Sequence, residues 1–397
     1  MRWFPLPRLR RPVPPAPPPS PSPSAEAGPM ALLMGRDEVA VAGPRVRRLV
    51  AGRRVLVTGA CGTVGSALCH RLRRLEPDAL CLMDRDGRRL DRLAGELWGA
   101  GRVAAAEADV RDRGRVEAIL GEARPDLVFH AAGQNELGKV EDDPCQGVAA
   151  NVFGTRHLVD AAVRNGVERL VLVSSDKAAD PTSVFGATMR LGELLLQTAT
   201  PGPTRFAAVR VGNVIGAHAS LLTALASRIS SGEAVTITHP EVARHFMTVA
   251  EAAGLLLEAA ALTEEAETFA LDMGSPVPVV ELVHRYAAQL RLPEVTIRFS
   301  GLGPGEKLAE KTFADSERRI RTAHPKIWGT RPAPPPAGLP RLLDALQAAA
   351  GRGGAGEVRL LLCRLLPEYR PARRARPPAG PPPLAGAGGA RPDPPVL

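Results

Sequence analysis

An apolar run that stops on a glycine turn and restarts as a helix constrains this chain more than any other feature. "RRVLVTGA" (53–60) is such a run, and "TGACGTVG" places Gly59, Gly62 and Gly65 where it ends. Runs of similar form recur at 79–84 ("ALCLMD"), 102–110 ("RVAAAEADV"), 126–133 ("DLVFHAAG") and 169–176 ("RLVLVSSD"). Between them, stretches such as "GSALCHRLRRL" (65–75) and "NVFGTRHLVDAAVRNG" (151–166) space their apolar residues by three and four. Buried strands alternating with helices fold as right-handed βαβ units on a parallel sheet. The expected fold class is therefore α/β, a Rossmann-type doubly wound parallel sheet. "RFAAVRVGN" (205–213) continues the sheet. Beyond it the spacing becomes irregular, and "AVTIT", "HFMTV" and "ETFALDMG" read as short strands among helices. That change predicts a smaller C-terminal α/β substrate lobe, closed by two helices over "LPRLLDALQAAAG" and "GEVRLLLCRLLPEY".

Charge narrows the function classes. The net charge of +9 over 397 residues invites a nucleic-acid reading. Yet the first 54 residues carry +7 and residues 331–397 carry +6, leaving the body between them at −4. A duplex needs basic charge on a folded face, so no nucleic-acid partner is expected. The five cysteines form no CxxC pair and no His stands at zinc-ligand spacing. Neither a disulfide framework nor a metal site is indicated, and free thiols fit a reducing, cytoplasmic setting. No apolar run reaches the roughly 18–20 residues that span a bilayer. The Arg-bearing start runs into prolines, unlike a signal peptide, with eleven prolines in residues 1–29. Such a segment buries too little to offset ordering entropy. "PPAPPPSPSPS" could dock an aromatic groove, although a disordered leader is the simpler reading, with Met30 or Met34 as alternative starts.

Glycines between a strand and a helix let the backbone approach a pyrophosphate, whose charge the helix-start amides favour. Asp84 ends the second run and can accept hydrogen bonds from a ribose hydroxyl. The candidate dinucleotide contacts are Thr58, Gly59, Gly62, Thr63, Val64, Gly65, Asp84, Arg85, Asp109, Val110, Ala131 and Ala132. Asp109 and Val110, ending the third run, would lie near the adenine. Arg85 could balance a 2′-phosphate, so the cofactor is NAD or NADP. The expected order is a disordered leader (1–33), an NAD(P)-binding domain (34–215), a substrate lobe returning in part to the core (216–330), C-terminal helices (331–370) and a disordered tail (371–397).

The chemical candidates sit at the carboxyl end of the fifth run, where ligands meet a parallel sheet. Ser175, Asp176 and Lys177 supply a hydrogen-bonding hydroxyl and two proton-transfer groups. With five Lys against 46 Arg in the chain, a Lys here hints at a need for an exchangeable proton, since Arg stays protonated. The competing reading is a turn with solvated charges.

These segments resemble the CapD-like polysaccharide-biosynthesis branch of extended short-chain dehydrogenases, which includes UDP-N-acetylglucosamine 4,6-dehydratases. The likeness covers roughly residues 34–370. It rests on "LMGRDEV", "VLVTGACGTVGSALC" (with its GxxGxxG spacing), "PDLVFHAAG", "NVFGT", "SSDKAADPTSVFGAT", "VRVGNVIG", "VTITHPEVARHFMTVAEAAGLLLEAA", "LDMGSPVPVVELV" and "GLGPGEKLAEK". It implies a tightly bound, recycled NAD(P)+ that takes hydride from carbon 4 of a nucleotide sugar and returns it to carbon 6 after water is lost across carbons 5 and 6. It further implies that Asp176 protonates the leaving hydroxyl, Lys177 handles the carbon 5 proton and Ser175 holds the carbon 4 hydroxyl. Asn213, Arg244, Glu306 and Lys307 would meet the substrate, with surface salt pairing as the competing role for the last three. A homo-oligomer is also implied. Three departures stand out. Phe185 and Met189 occupy the YxxxK positions, removing the phenolic base and the ammonium. "QNELG" (134–138) replaces the usual substrate-facing loop, and Gly303 stands where an Arg would meet the diphosphate. Two other expectations stay open: an epimerase or dehydrogenase that oxidises carbon 4 without elimination, and a non-catalytic dinucleotide-binding paralogue. His130 reads as packing.

Overall fold

The computed structural model describes residues 33–36, 38, 43–98, 102–199, 202–215, 221–292, 295–331 and 334–371. Residues 1–32 of the leader and 372–397 of the tail lie outside them. Six strands follow the sequence pattern: β1 Arg54–Thr58, β2 Ala79–Asp84, β3 Arg102–Glu107, β4 Leu127–His130, β5 Arg169–Ser175 and β6 Arg205–Val211. Nine more lie among the described residues: β7 Asn213–Ile215, β8 Val235–Ile237, β9 Ala243–Arg244, β10 Phe246–Thr248, β11 Ala266–Leu271, β12 Val277–Pro278, β13 Ile297–Phe299, β14 Arg318–Arg321 and β15 Ile327–Arg331.

The main sheet runs β14-β15-β11-β6-β5-β4-β1-β2-β3. From β3 to β11 every neighbouring pair is parallel; β15 and β14 close the far edge antiparallel. Strands such as β1 and β4 are buried along almost their whole length, which is why they read as continuous apolar runs rather than alternating ones. Helices cover both faces. Thr63–Arg73, Gly87–Glu96 and Val249–Leu262 pack on one through Leu68, Leu72, Leu90 and Leu256. Arg113–Ala123 and Gly154–Arg164 pack on the other through Ile119, Leu120 and Leu158. The chain leaves β1 in one direction for β2 and β3 and in the other for β4 to β6, so the strand order reverses beside β1. A crevice at such a switch point is where open α/β sheets take ligands.

One boundary differs from the sequence reading. Leu33, assigned to the leader, is 1% exposed, because it packs with Met34, Ile237 and Leu282 inside the small lobe. Arg36 then ties this segment to the core, donating to Glu251 (2.6 Å), Met273 O (2.9 Å) and Phe246 O (3.1 Å). Glu251 also completes a capping box with Thr248 at the start of the helix Val249–Leu262, so one carboxylate fixes a helix start and the N-terminal segment together. The chain after β7 gives β11, β14 and β15 to the main sheet. Two C-terminal helices, Leu339–Gly351 and Ala355–Leu365, cover the start of the helix Val184–Thr198 in a third layer.

A buried ion cluster, invisible to pattern reading, joins these parts. Arg210 on β6 is fully buried and donates to both oxygens of Glu193 (2.7 Å each) and of Glu317 (2.6 and 2.8 Å). Ser174 donates to Glu193 at 2.8 Å. Burial opposes the charge on Glu193, but Arg210 outweighs it and holds the carboxyl below the usual range. Burial likewise opposes the Arg210 charge, and the carboxylates hold its proton more firmly than usual. The cluster pins the loop that carries Glu306–Glu310 to the sheet.

Candidate active site

The glycine loop is built by backbone crossings. Gly59 has φ +66°, and a Cβ there would lie 2.6 Å from the Ala131 carbonyl and the Ala132 nitrogen. A Cβ on Gly65 would run into Gly59 O. Gly62 differs: its added Cβ would meet nothing nearer than Gly59 O at 3.2 Å. It forms the N-cap of the helix Thr63–Arg73 with no side-chain cap, so the first amides keep their donors for an anion. The cradle fits a pyrophosphate.

Asp84 serves the loop as well as any ligand. Its Oδ2 accepts from Cys61 N (2.9 Å) and its Oδ1 from Asp86 N (3.1 Å). Each oxygen retains a lone pair for a ribose hydroxyl. Arg85 is exposed, while Arg89 donates to Cys61 O at 2.5 Å. Thr63 is exposed and Val64 leans on the core. Thr58 is buried, its Oγ1 2.8 Å from His130 Nδ1. Its side chain frames the loop rather than facing outward. His130 Nε2 meets Thr155 Oγ1 at 3.0 Å, and burial pushes the imidazole down to about 3. This histidine packs as a neutral ring. Strand β3 stops at Glu107, so Asp109 and Val110 lie in the following turn. Arg111 hydrogen-bonds Asp109 at 2.6 and 3.0 Å and holds its carboxyl below the usual range.

The trio after β5 converges on one carboxylate. Asp176 Oδ1 accepts from Ser175 Oγ and from Lys177 Nζ, both at 3.1 Å. Asp176 is 0% exposed and the Lys177 side chain 16%, which rules out the reading of solvated turn charges. Lys177 Nζ also lies 3.5 Å from Asn213 Oδ1 and 4.0 Å from Glu310 Oε1. Two of these neighbours were missed from sequence. Glu310 follows the quoted "GEK", and His245, between Arg244 and β10, interacts with Asp176, Glu310 and Lys177.

Arg244, Glu306 and Lys307 are engaged with the frame. Arg244 is buried, pairs with Glu306 Oε1 at 2.5 Å and donates to Lys307 O and Leu308 O. Glu306 also accepts from Thr238 Oγ1 and Gly303 N. Lys307 donates to Ala179 O at 2.9 Å and lies 3.1 Å from Glu310 Oε2. They form a largely buried bracket around the trio, paired with one another and with backbone carbonyls.

Asn151 is a further omission. It lies in a π-helical turn, Ala149–Phe153, a distortion frequent at functional sites. It grips the "QNELG" loop through Gln134 N (2.7 Å) and O (3.0 Å) and reaches Thr188 Oγ1 (2.9 Å). The "NVFGT" segment carried the only hint of it. Phe185 and Met189 are 5% and 8% exposed, in an apolar cluster with Val140, Val152 and Leu343. Among the described residues no group of His, Cys, Asp and Glu could hold a metal ion, and no helix is long and apolar enough to cross a membrane.

Comparison with known proteins bears on family and fold. A family described as polysaccharide biosynthesis protein matches residues 55–332. The capsular polysaccharide biosynthesis protein CapD of Staphylococcus aureus is 34% identical over 305 residues, covering 75% of this chain and 51% of its own. The chain thus spans about half the length of that relative. A UDP-N-acetylglucosamine 4,6-dehydratase (inverting) of Campylobacter jejuni is 25% identical over 287 residues, covering 71% of this chain and 83% of its own. The fold is shared with the UDP-glucose 4-epimerase of Stenotrophomonas maltophila, solved with NAD and formylated UDP-arabinopyranose: TM-score 0.57, 24% identity, 66% of this chain and 90% of that one.

Proposed function

From the premise that the chain belongs to the polysaccharide biosynthesis protein family, we propose that it is a nucleotide-sugar 4,6-dehydratase working with a bound nicotinamide dinucleotide. The observation that carries this reading is the meeting of Ser175 and Lys177 on Asp176 Oδ1, at 3.1 Å each. When bound, the oxidised nicotinamide would supply reversible hydride transfer at the sugar ring. Gly59, Gly62, Gly65 and Asp84 would hold the dinucleotide's phosphates and ribose.

The chain's own residues then handle protons. Ser175 gives its hydrogen to Asp176, so its oxygen lone pairs face the carbon 4 hydroxyl. A ketone at carbon 4 acidifies the carbon 5 proton, which Lys177 removes. Asp176 protonates the hydroxyl leaving carbon 6. These roles need a neutral amine beside a carboxylic acid. The proton shared between Lys177 Nζ and Asp176 Oδ1 need cross only their hydrogen bond to give that state, and a substrate closing the site removes the water that favours the ion pair. Each group of this kind contributes a factor of about 10²–10⁴.

Incubation with UDP-N-acetylglucosamine and NAD+ in deuterated water tests the reading. The expected product lacks one water and carries deuterium at carbon 5. A sugar epimerised at carbon 4 without that deuterium would replace it with the epimerase reading, which the likeness to an epimerase favours. No product from a panel of nucleotide sugars, with fold and dinucleotide binding intact, would favour a non-catalytic role, motivated by Phe185 and Met189.

A further inference from the structure

One proton has no acceptor in this scheme. When carbon 4 becomes a ketone, its C–H bond gives two electrons and the hydrogen to the oxidised dinucleotide, and its O–H bond gives a proton to a base. The position where a phenolic base would stand is Phe185, which has no acceptor and lies in an apolar cluster. Asp176 and Lys177 are committed to carbons 6 and 5.

His245 is the unused base beside them. Its carbonyl accepts from Asn213 N at 2.9 Å, and the Asn213 side chain lies 3.5 Å from Lys177 Nζ. Its own Nδ1 is buried and has no hydrogen-bond partner, and the same holds for Asp176 Oδ2. Buried polar atoms without partners are rare and require a reason. Two such atoms lie on groups that influence each other's charge, one an acceptor and one able to change role with its proton, and a hydroxyl admitted to them would satisfy both.

We propose that His245 is the base that receives the carbon 4 hydroxyl proton and passes it to Asp176. The inference rests on the nucleotide-sugar reading, and it serves the dehydratase and the epimerase alike, because both begin at carbon 4. The balance closes in the dehydratase. Asp176 gives its proton to the departing hydroxide, forming water, and the proton held by His245 restores it. The proton that Lys177 takes from carbon 5 returns there as hydride reaches carbon 6. Burial lowers the His245 pKa below 6.5, Asp176, Glu310 and Asp272 act to raise it, and Lys177 acts to lower it. The ring is therefore neutral at pH 7, as an acceptor must be.

Two experiments on the full chain with NAD+ bound decide the matter. Ring-nitrogen NMR should give His245 a titration midpoint below 6.5 that falls by about half a unit or more in Asp176→Asn, since a nearby carboxylate favours the charged imidazole. An unchanged midpoint overturns the coupling, whatever the enzyme does with sugars. With UDP-N-acetylglucosamine as probe, His245→Phe should lower kcat by about 10²-fold or more. KM should stay within about threefold, and the acidic limb of the kcat pH profile should disappear. Turnover within about twofold of the parent and an unaltered profile would overturn the assignment. His245→Gln, which keeps polarity without basicity, gives the same expected loss if the Phe variant does not fold. Absence of turnover in the parent chain would sink the dehydratase reading and leave the NMR titration to decide whether His245 and Asp176 exchange influence.

Discussion

The two halves of the site are made of different materials. The side proposed for the dinucleotide is backbone: three glycines within seven residues, one of them at positive φ, and a carboxylate that holds loop amides. The side proposed for the sugar is side chain: Ser175, Asp176 and Lys177 from one turn, Asn213 from a short strand, His245 from the link between two others, and Glu310 from a loop pinned by Arg210. The first is local and rigid by steric necessity. The second depends on four separate segments being held in register by buried charge. Chemistry can change on the second half while the first stays fixed.

Substitutions that separate the halves sharpen this contrast. The largest effect is expected from Lys177→Met and Asp176→Asn, each lowering kcat by about 10²–10⁴ while calorimetric NAD+ binding stays within about threefold. A parallel loss of NAD+ binding would mean the halves are not separable. Next comes Arg210→Met, which leaves Glu193 and Glu317 buried without their partner and should destabilise the fold by about 3–5 kcal/mol, read from urea melts. In the parent chain the Glu193 contribution is present above its unfolded value of 4.5 and is lost as pH falls below it. Gly65→Ala should cost about 1–3 kcal/mol, because its methyl enters the space of the Gly59 carbonyl. NAD+ affinity should drop with it.

One further effect is a slope rather than an offset. His130 is held neutral down to about 3 against 6.5 in the unfolded chain. Its contribution is flat above 6.5, where both states are neutral. Below that the unfolded state binds the extra proton, and stability should fall by up to roughly 1.4 kcal/mol per pH unit until the folded ring protonates. Urea melts from pH 7 to 4 should show less of this slope in His130→Gln.

The same division explains what sequence could reveal. Strands β1, β2 and β5 and the glycine loop were legible because each is dictated within one βα unit. Asp84 was legible for the same reason, although its bonds to Cys61 N and Asp86 N were not. Arg244 was named through the family resemblance; only the folded chain shows it pairing with Glu306 and the 307–308 carbonyls. The third strand was carried past its end at Glu107 to Asp109 and Val110 because "AAAEADV" keeps apolar residues alternating beyond β3. His245 and Glu310 lie inside the quoted segments "VTITHPEVARHFMTVAEAAGLLLEAA" and "GLGPGEKLAEK", but nothing in either marks them as belonging to the site. They become neighbours of Asp176 only through the return of the chain after β6, a contact between residues more than sixty positions apart in sequence.

A crystal structure of the chain with NAD+ and UDP-N-acetylglucosamine bound together is the most direct measurement. The expected result places Lys177 Nζ within about 3.5 Å of carbon 5, with the nicotinamide facing carbon 4 of the same pyranose. A sugar seated elsewhere, or a Lys177 amine turned away from the ring into solvent, would contradict the shared site.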